Sequence, residues 1–136
     1  MSSSPAKPRR RPALLVVEDD LILQQTIRLL FEHHGFEVMT ASTLREAQTR
    51  FWSRPSWAII LSDYHLSDGT GLDLYSWIED QRGRPAPFLL MSGGIKAELA
   101  DGVAFIAKPF GLHELETRVR ALLQGGVSEP SCAYGP

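Results

Sequence analysis

The chain has 136 residues, 43% of them hydrophobic and 22% charged, with a formal net charge of −2. That length suits one domain with a proper core, and the slight acidity argues against a dedicated nucleic-acid binder, which is usually basic overall. A single cysteine, Cys132, excludes an internal disulfide and fits a reducing compartment. No run approaches the ~18 apolar residues of a membrane helix or the apolar centre of a secretory leader, so the chain reads as cytoplasmic.

Residues 1–12 hold three prolines and four basic residues and are expected to form a disordered basic leader. Residues 125–136, rich in Gly and Pro, read as a disordered tail, which leaves residues 13–124 as the folded domain. Residues 13–17 (ALLVV) form an apolar run of strand length. Residues 20–34 follow with Leu23, Ile27, Leu30 and Phe31 at helical spacing and Gly35 as the stop. A short second strand is expected over residues 37–40. Thr43 and Glu46 then have the spacing of a capping box, opening a helix that ends before Pro55. Residues 57–61 (WAIIL) predict a third strand and residues 72–81 a helix, with Leu74 and Ile78 four apart. Fourth and fifth strands are expected at residues 87–91 and 103–106. Leu112, Leu115, Val119, Leu122 and Leu123 line one face of a last helix.

Apolar strands separated by helices imply a doubly wound, five-stranded parallel sheet with helices on both faces, the flavodoxin-like arrangement. Ligands in such folds sit outside the carboxyl ends of the strands. Glu18-Asp19-Asp20 lie at the end of the first strand, Ser62-Asp63 at the third, Ser92 at the fourth and Lys108-Pro109 at the fifth. Carboxylates gathered this closely repel one another unless a divalent cation or the lysine compensates them. Oxygen ligands of this kind suit Mg²⁺.

Val17-Glu18-Asp19, then Asp63 with Asp68-Gly69 behind it, then Ser92, then Lys108-Pro109-Phe110, resemble the CheY-like receiver domains of two-component response regulators. The resemblance covers about 112 residues. It implies that Asp63 takes a phosphoryl group from a phosphohistidine on a histidine kinase or phosphotransfer protein. It also implies a Mg²⁺ site made by Asp19, Asp63 and the backbone carbonyl of His65, with Glu18 acting through water. Lys108 and Ser92 would contact the phosphoryl oxygens, Phe105 would be the switch aromatic, and Pro109 would follow a cis peptide bond. Output would pass to a downstream protein target, with no direct DNA binding and no membrane contact.

Three features depart from that pattern. Ser67 stands where many receivers have proline, and Gly93 and Gly94 follow Ser92. Only the twelve residues from Ser92 to Val103 join the fourth strand to the fifth, so the helix there should be short or missing. An aspartyl-phosphate phosphohydrolase of the haloacid-dehalogenase group is the enzyme alternative. Those proteins need an acid two residues past the nucleophile, where this chain has His65. The chain is therefore expected to be a signalling module rather than an enzyme: a free-standing regulator, a phosphorelay intermediate, or a receiver cut from a hybrid histidine kinase.

Overall fold

The computed structural model describes residues 11–82, 86–93 and 103–125. Most of the leader, most of the tail and residues 94–102 of the connection expected to carry a short helix lie outside the described residues.

Five strands, β1 (Ala13–Val17), β2 (Glu37–Ala41), β3 (Ile59–Asp63), β6 (Phe88–Ser92) and β7 (Ala104–Ala107), form one parallel sheet in the order β2-β1-β3-β6-β7. A two-stranded antiparallel hairpin, β4 (His65–Leu66) and β5 (Gly69–Thr70), follows β3. No helix among the described residues is long and apolar enough to cross a membrane.

Alternate residues of the central strands serve two cores, as the pleat requires. Leu15, Val17, Ile60 and Leu90 pack against α2 (Leu44–Phe51) and α3 (Gly71–Arg82) through Ala47, Phe51, Leu74 and Ile78. Leu14, Val16, Ile59, Leu61, Leu89 and Met91 pack against α1 (Leu21–His33) and α4 (Leu112–Leu123) through Ile27, Phe31, Leu115 and Val119. The strands are apolar on both sides because helices cover both faces.

The helix ends follow from side-chain chemistry. Asp20 caps α1 by accepting from the amides of Ile22 (3.0 Å) and Leu23 (3.2 Å), and Gly35 leaves the helix at φ 92°, a conformation that favours glycine. Thr43 caps α2 by accepting from the Glu46 amide at 3.0 Å. The expected capping box is displaced by one residue: Glu46 reaches back to the amide of Ser42 (2.8 Å) rather than to that of Thr43. The first two amides of α2 are satisfied from outside the helix. Asp68, at the turn of the β4–β5 hairpin, accepts from Leu44 at 2.7 Å and from Arg45 at 3.0 Å.

Strand β3 begins two residues later than the apolar run suggested. Pairing starts at Ile59 opposite Leu14, while Trp57 turns its indole N–H onto the carbonyl of Phe51 at 3.1 Å. The bulky residue that looked like a strand opener instead closes the end of α2.

Slight desolvation acts upward on the Asp68 carboxyl, but the amides of Arg45 and Leu44 outweigh it and hold the group below its ordinary 3.8. Asp68→Ala should therefore cost about 1 kcal/mol of unfolding free energy at neutral pH, the usual size for a lost helix cap. A folded-state pKa that is depressed contributes stability above the unfolded value and loses it as the pH falls through the folded value. In urea melts, the gap between native protein and variant should be full at pH 7 and should shrink below pH 3.8.

Candidate functional site

In the order β2-β1-β3-β6-β7, the connections leaving β1 and β3 run to opposite sides of the sheet, which opens a crevice at the carboxyl ends of these two strands. The register fixes what meets there. Val17 pairs with Ser62, so Glu18 and Asp19 emerge beside Asp63, the last residue of β3. Asp63 pairs with Met91, and Ser92 pairs with Ala107, so Lys108 follows directly from the neighbouring strand end. The Lys108 amide also donates to the Ser92 carbonyl at 2.7 Å. The peptide bond from Lys108 to Pro109 is cis.

One carboxylate oxygen from each of Glu18, Asp19 and Asp63 lies within 4.8 Å of the others, and this is the one such acidic group among the described residues. Glu18 and Asp63 are buried, at 1% and 7% exposure, while Asp19 faces solvent. Lys108 spans the buried pair, with its ammonium 3.0 Å from Glu18 Oε1 and 3.3 Å from Asp63 Oδ1. Glu18 Oε2 accepts from the Asp20 amide at 3.1 Å.

Burial pushes the Glu18 carboxyl up, and the charge of Asp63 adds to this. The Asp20 amide and Lys108 pull it back without cancelling the cost of burial. For Lys108, burial disfavours the charge, yet Glu18 and Asp63 together outweigh it and raise the pKa above the ordinary value. Among the described residues, three carboxylates facing one ammonium leave a formal excess of two negative charges when all are ionised. Hard oxygen donors, a doubly negative excess and one solvent-facing member fit a hydrated divalent cation such as Mg²⁺.

The remaining expected residues fall around this centre. Ser92 is buried at the end of β6. His65 is exposed and opens β4, two residues past Asp63. Phe105 lies within β7, half-buried, pairs with Leu90, and takes a hydrogen bond from Arg118 on its carbonyl. Pro109 follows Lys108 at the rim.

Sequence reasoning missed two supports of the site. Gln24, on the buried face of α1, donates from its side chain to the Glu18 carbonyl at 2.8 Å. Gly71 opens α3 so close to the acceptor strand that a Cβ there would stand 2.6 Å from the Asp63 carbonyl oxygen and 2.5 Å from Leu90. A glutamine on an otherwise apolar helix stripe was the available signal for the first. A lone glycine in a glycine-rich turn gave no usable signal for the second.

In metal-free protein, Asp63→Asn removes two repulsions and one attraction, and should raise stability at pH 7 by about 1 kcal/mol. Lys108→Met should lower it by leaving the buried acids uncompensated. A raised folded-state pKa gives stability below the unfolded value that is lost as the pH rises through the folded value. The Lys108→Met deficit should thus be greatest at neutral pH and fade as the pH falls toward the ordinary Glu value of 4.5, read by denaturant melts across that range.

Residues 14–120 match the family model described as the response regulator receiver domain. The transcriptional regulatory protein PmrA of Pectobacterium parmentieri is 33% identical over 116 residues, covering 82% of this chain and 52% of that protein. KdpE, the KDP operon transcriptional regulatory protein of Escherichia coli (strain K12), is 32% identical over 124 residues, covering 82% of this chain and 51% of its own. The chain therefore spans about half the length of these curated relatives. Among solved structures, the non-phosphorylated HemR receiver domain from Leptospira biflexa superposes with a TM-score of 0.75 at 30% identity, covering 88% of this chain and 98% of that one. Together with the five-stranded parallel sheet and the strand-end acids, the match places this chain in the response regulator receiver domain family.

Proposed function

We propose that the chain is a phosphorylatable switch in which Asp63 accepts a phosphoryl group from the phosphohistidine of a histidine kinase or phosphotransfer protein. A carboxylate oxygen of Asp63 forms the new P–O bond as the P–N bond breaks, and the imidazole leaves with the electron pair and takes up a proton from solvent. Asp63 is thereby converted to an acyl phosphate.

The observation that carries this reading is the Lys108 ammonium 3.3 Å from Asp63 Oδ1, at a sheet rim shared with two further acids. Asp63 is nearly enclosed yet opens onto the crevice, so an incoming phosphoryl group meets a fixed anion and a fixed cation together. Asp19, Asp63 and the His65 carbonyl would hold Mg²⁺, with Glu18 acting through a metal-bound water. When bound, the metal screens the attacking carboxylate from the phosphoryl oxygens. Lys108 then exchanges part of its contact with the acids for the phosphoryl oxygens as a point charge. Ser92 can donate one hydrogen bond to the same group, and Phe105 answers the change from β7.

The names of PmrA and KdpE tie those relatives to transcriptional regulation. For this chain, the reading is that the phosphoryl group changes a surface read by a protein target.

Acetyl phosphate with Mg²⁺ should add one phosphoryl group by intact mass, and Asp63→Asn should abolish the addition. Labelling that persists in Asp63→Asn removes the assignment. By calorimetry, Asp19→Ala should weaken Mg²⁺ binding at least tenfold, as loss of a direct charged ligand implies. His65→Ala, which keeps the backbone carbonyl, should leave it within about twofold.

A further inference from the structure

Gln24 occupies a core position of α1, where the buried stripe otherwise runs through Ile27 and Phe31. It is 4% exposed. A buried amide is costly unless its hydrogen bonds are met. Here they are met in a particular place. Gln24 Nε2 lies 2.8 Å from the Glu18 carbonyl oxygen, 3.2 Å from that of Ala41 and 3.2 Å from Ser42 Oγ, so two N–H groups serve three oxygens. Its own Oε1 accepts from Gln25 at 3.2 Å.

All three acceptors lie where the chain leaves β1 and β2. The Glu18 carbonyl belongs to the peptide that joins Glu18 to Asp19. Glu18 is fixed elsewhere as well: its amide donates to the Ala41 carbonyl at 3.0 Å, and its carboxylate is held by Lys108 and the Asp20 amide. Asp19 has an exposed side chain, so its place in the acidic group depends on the peptide that precedes it.

We propose that Gln24 is a positioning residue for the cation pocket: its buried amide locks the Glu18–Asp19 peptide and so holds the Asp19 carboxylate in range of Asp63. The inference rests on the reading above that this pocket takes Mg²⁺. Groups that orient a ligand without touching the metal commonly alter affinity tenfold or more.

Gln24→Met keeps the length and packing of the side chain and removes its donors. Calorimetric titration with Mg²⁺ should give a Kd about tenfold weaker than that of the native chain. Acetyl phosphate labelling should fall at limiting Mg²⁺ and recover at saturating Mg²⁺, under conditions where circular dichroism shows the variant fully folded at both concentrations. Ile27→Val on the same buried stripe is the control; it should lower stability and leave the Mg²⁺ Kd unchanged. In unmodified protein, the Gln24 side-chain amide resonances should shift with Mg²⁺ in step with the Asp19 backbone amide, a readout that stands even where Gln24→Met does not fold. Native binding matched by Gln24→Met, an equal loss in Ile27→Val, or Gln24 resonances unmoved by Mg²⁺ each overturn the inference while leaving the pocket intact. Absence of Mg²⁺ binding to the native chain overturns the reading on which it rests.

Discussion

Glu18 and Asp63 are buried side by side at the carboxyl ends of β1 and β3, and Lys108 reaches both. Two carboxylates in so little solvent repel each other, and without a partner at least one would take up a proton. The rest of the architecture serves this triad. β1, β3 and β7 must end at the same level, and the chain must run parallel in all of them, so that all three residues leave the sheet on one rim. The arrangement is stable without being satisfied. Among the described residues, one lysine answers two buried acids and an exposed one, which leaves a formal excess of negative charge.

The supports around the triad have a common form, in which a polar group from one segment closes the open backbone end of another. Asp68 leaves the acceptor hairpin to cap α2, and Gln24 leaves α1 to close the ends of β1 and β2. Thr70 and Asp73 exchange bonds of 3.0 Å at the start of α3. Each satisfies amides or carbonyls that a helix or strand end must leave unpaired. The segment that follows Asp63 is thereby tied to α2 through Asp68 and to α3 through Gly71. Gly71 tightens that link by letting α3 start in contact with the acceptor strand.

Much of this was legible in the sequence because it is governed by local pattern. The apolar runs ALLVV and FLLM are buried on both faces, and burial on both faces leaves no alternation to misread. Acids at two strand ends and a lysine at a third were visible as polar residues punctuating apolar runs. What was not legible depends on geometry across the chain. Asp68 reads as a turn residue, and only the fold brings it to amides 23 and 24 residues earlier. Trp57 looks like a strand opener by composition, but the register of β3 on β1 starts two residues later and leaves the indole free to reach Phe51. Gln24 was hidden because helical periodicity sorts residues by hydrophobicity and says nothing about which carbonyls a buried amide will meet.

The most direct test of the account is a crystal structure of the chain with Mg²⁺ and beryllofluoride, which mimics a phosphoryl group on a carboxylate. Beryllium should bond to the Asp63 carboxylate, with Lys108 and Ser92 on the fluorine atoms and the metal between Asp19, Asp63 and the His65 carbonyl. Beryllofluoride bound at any other residue, or a metal held without Asp19, would contradict it.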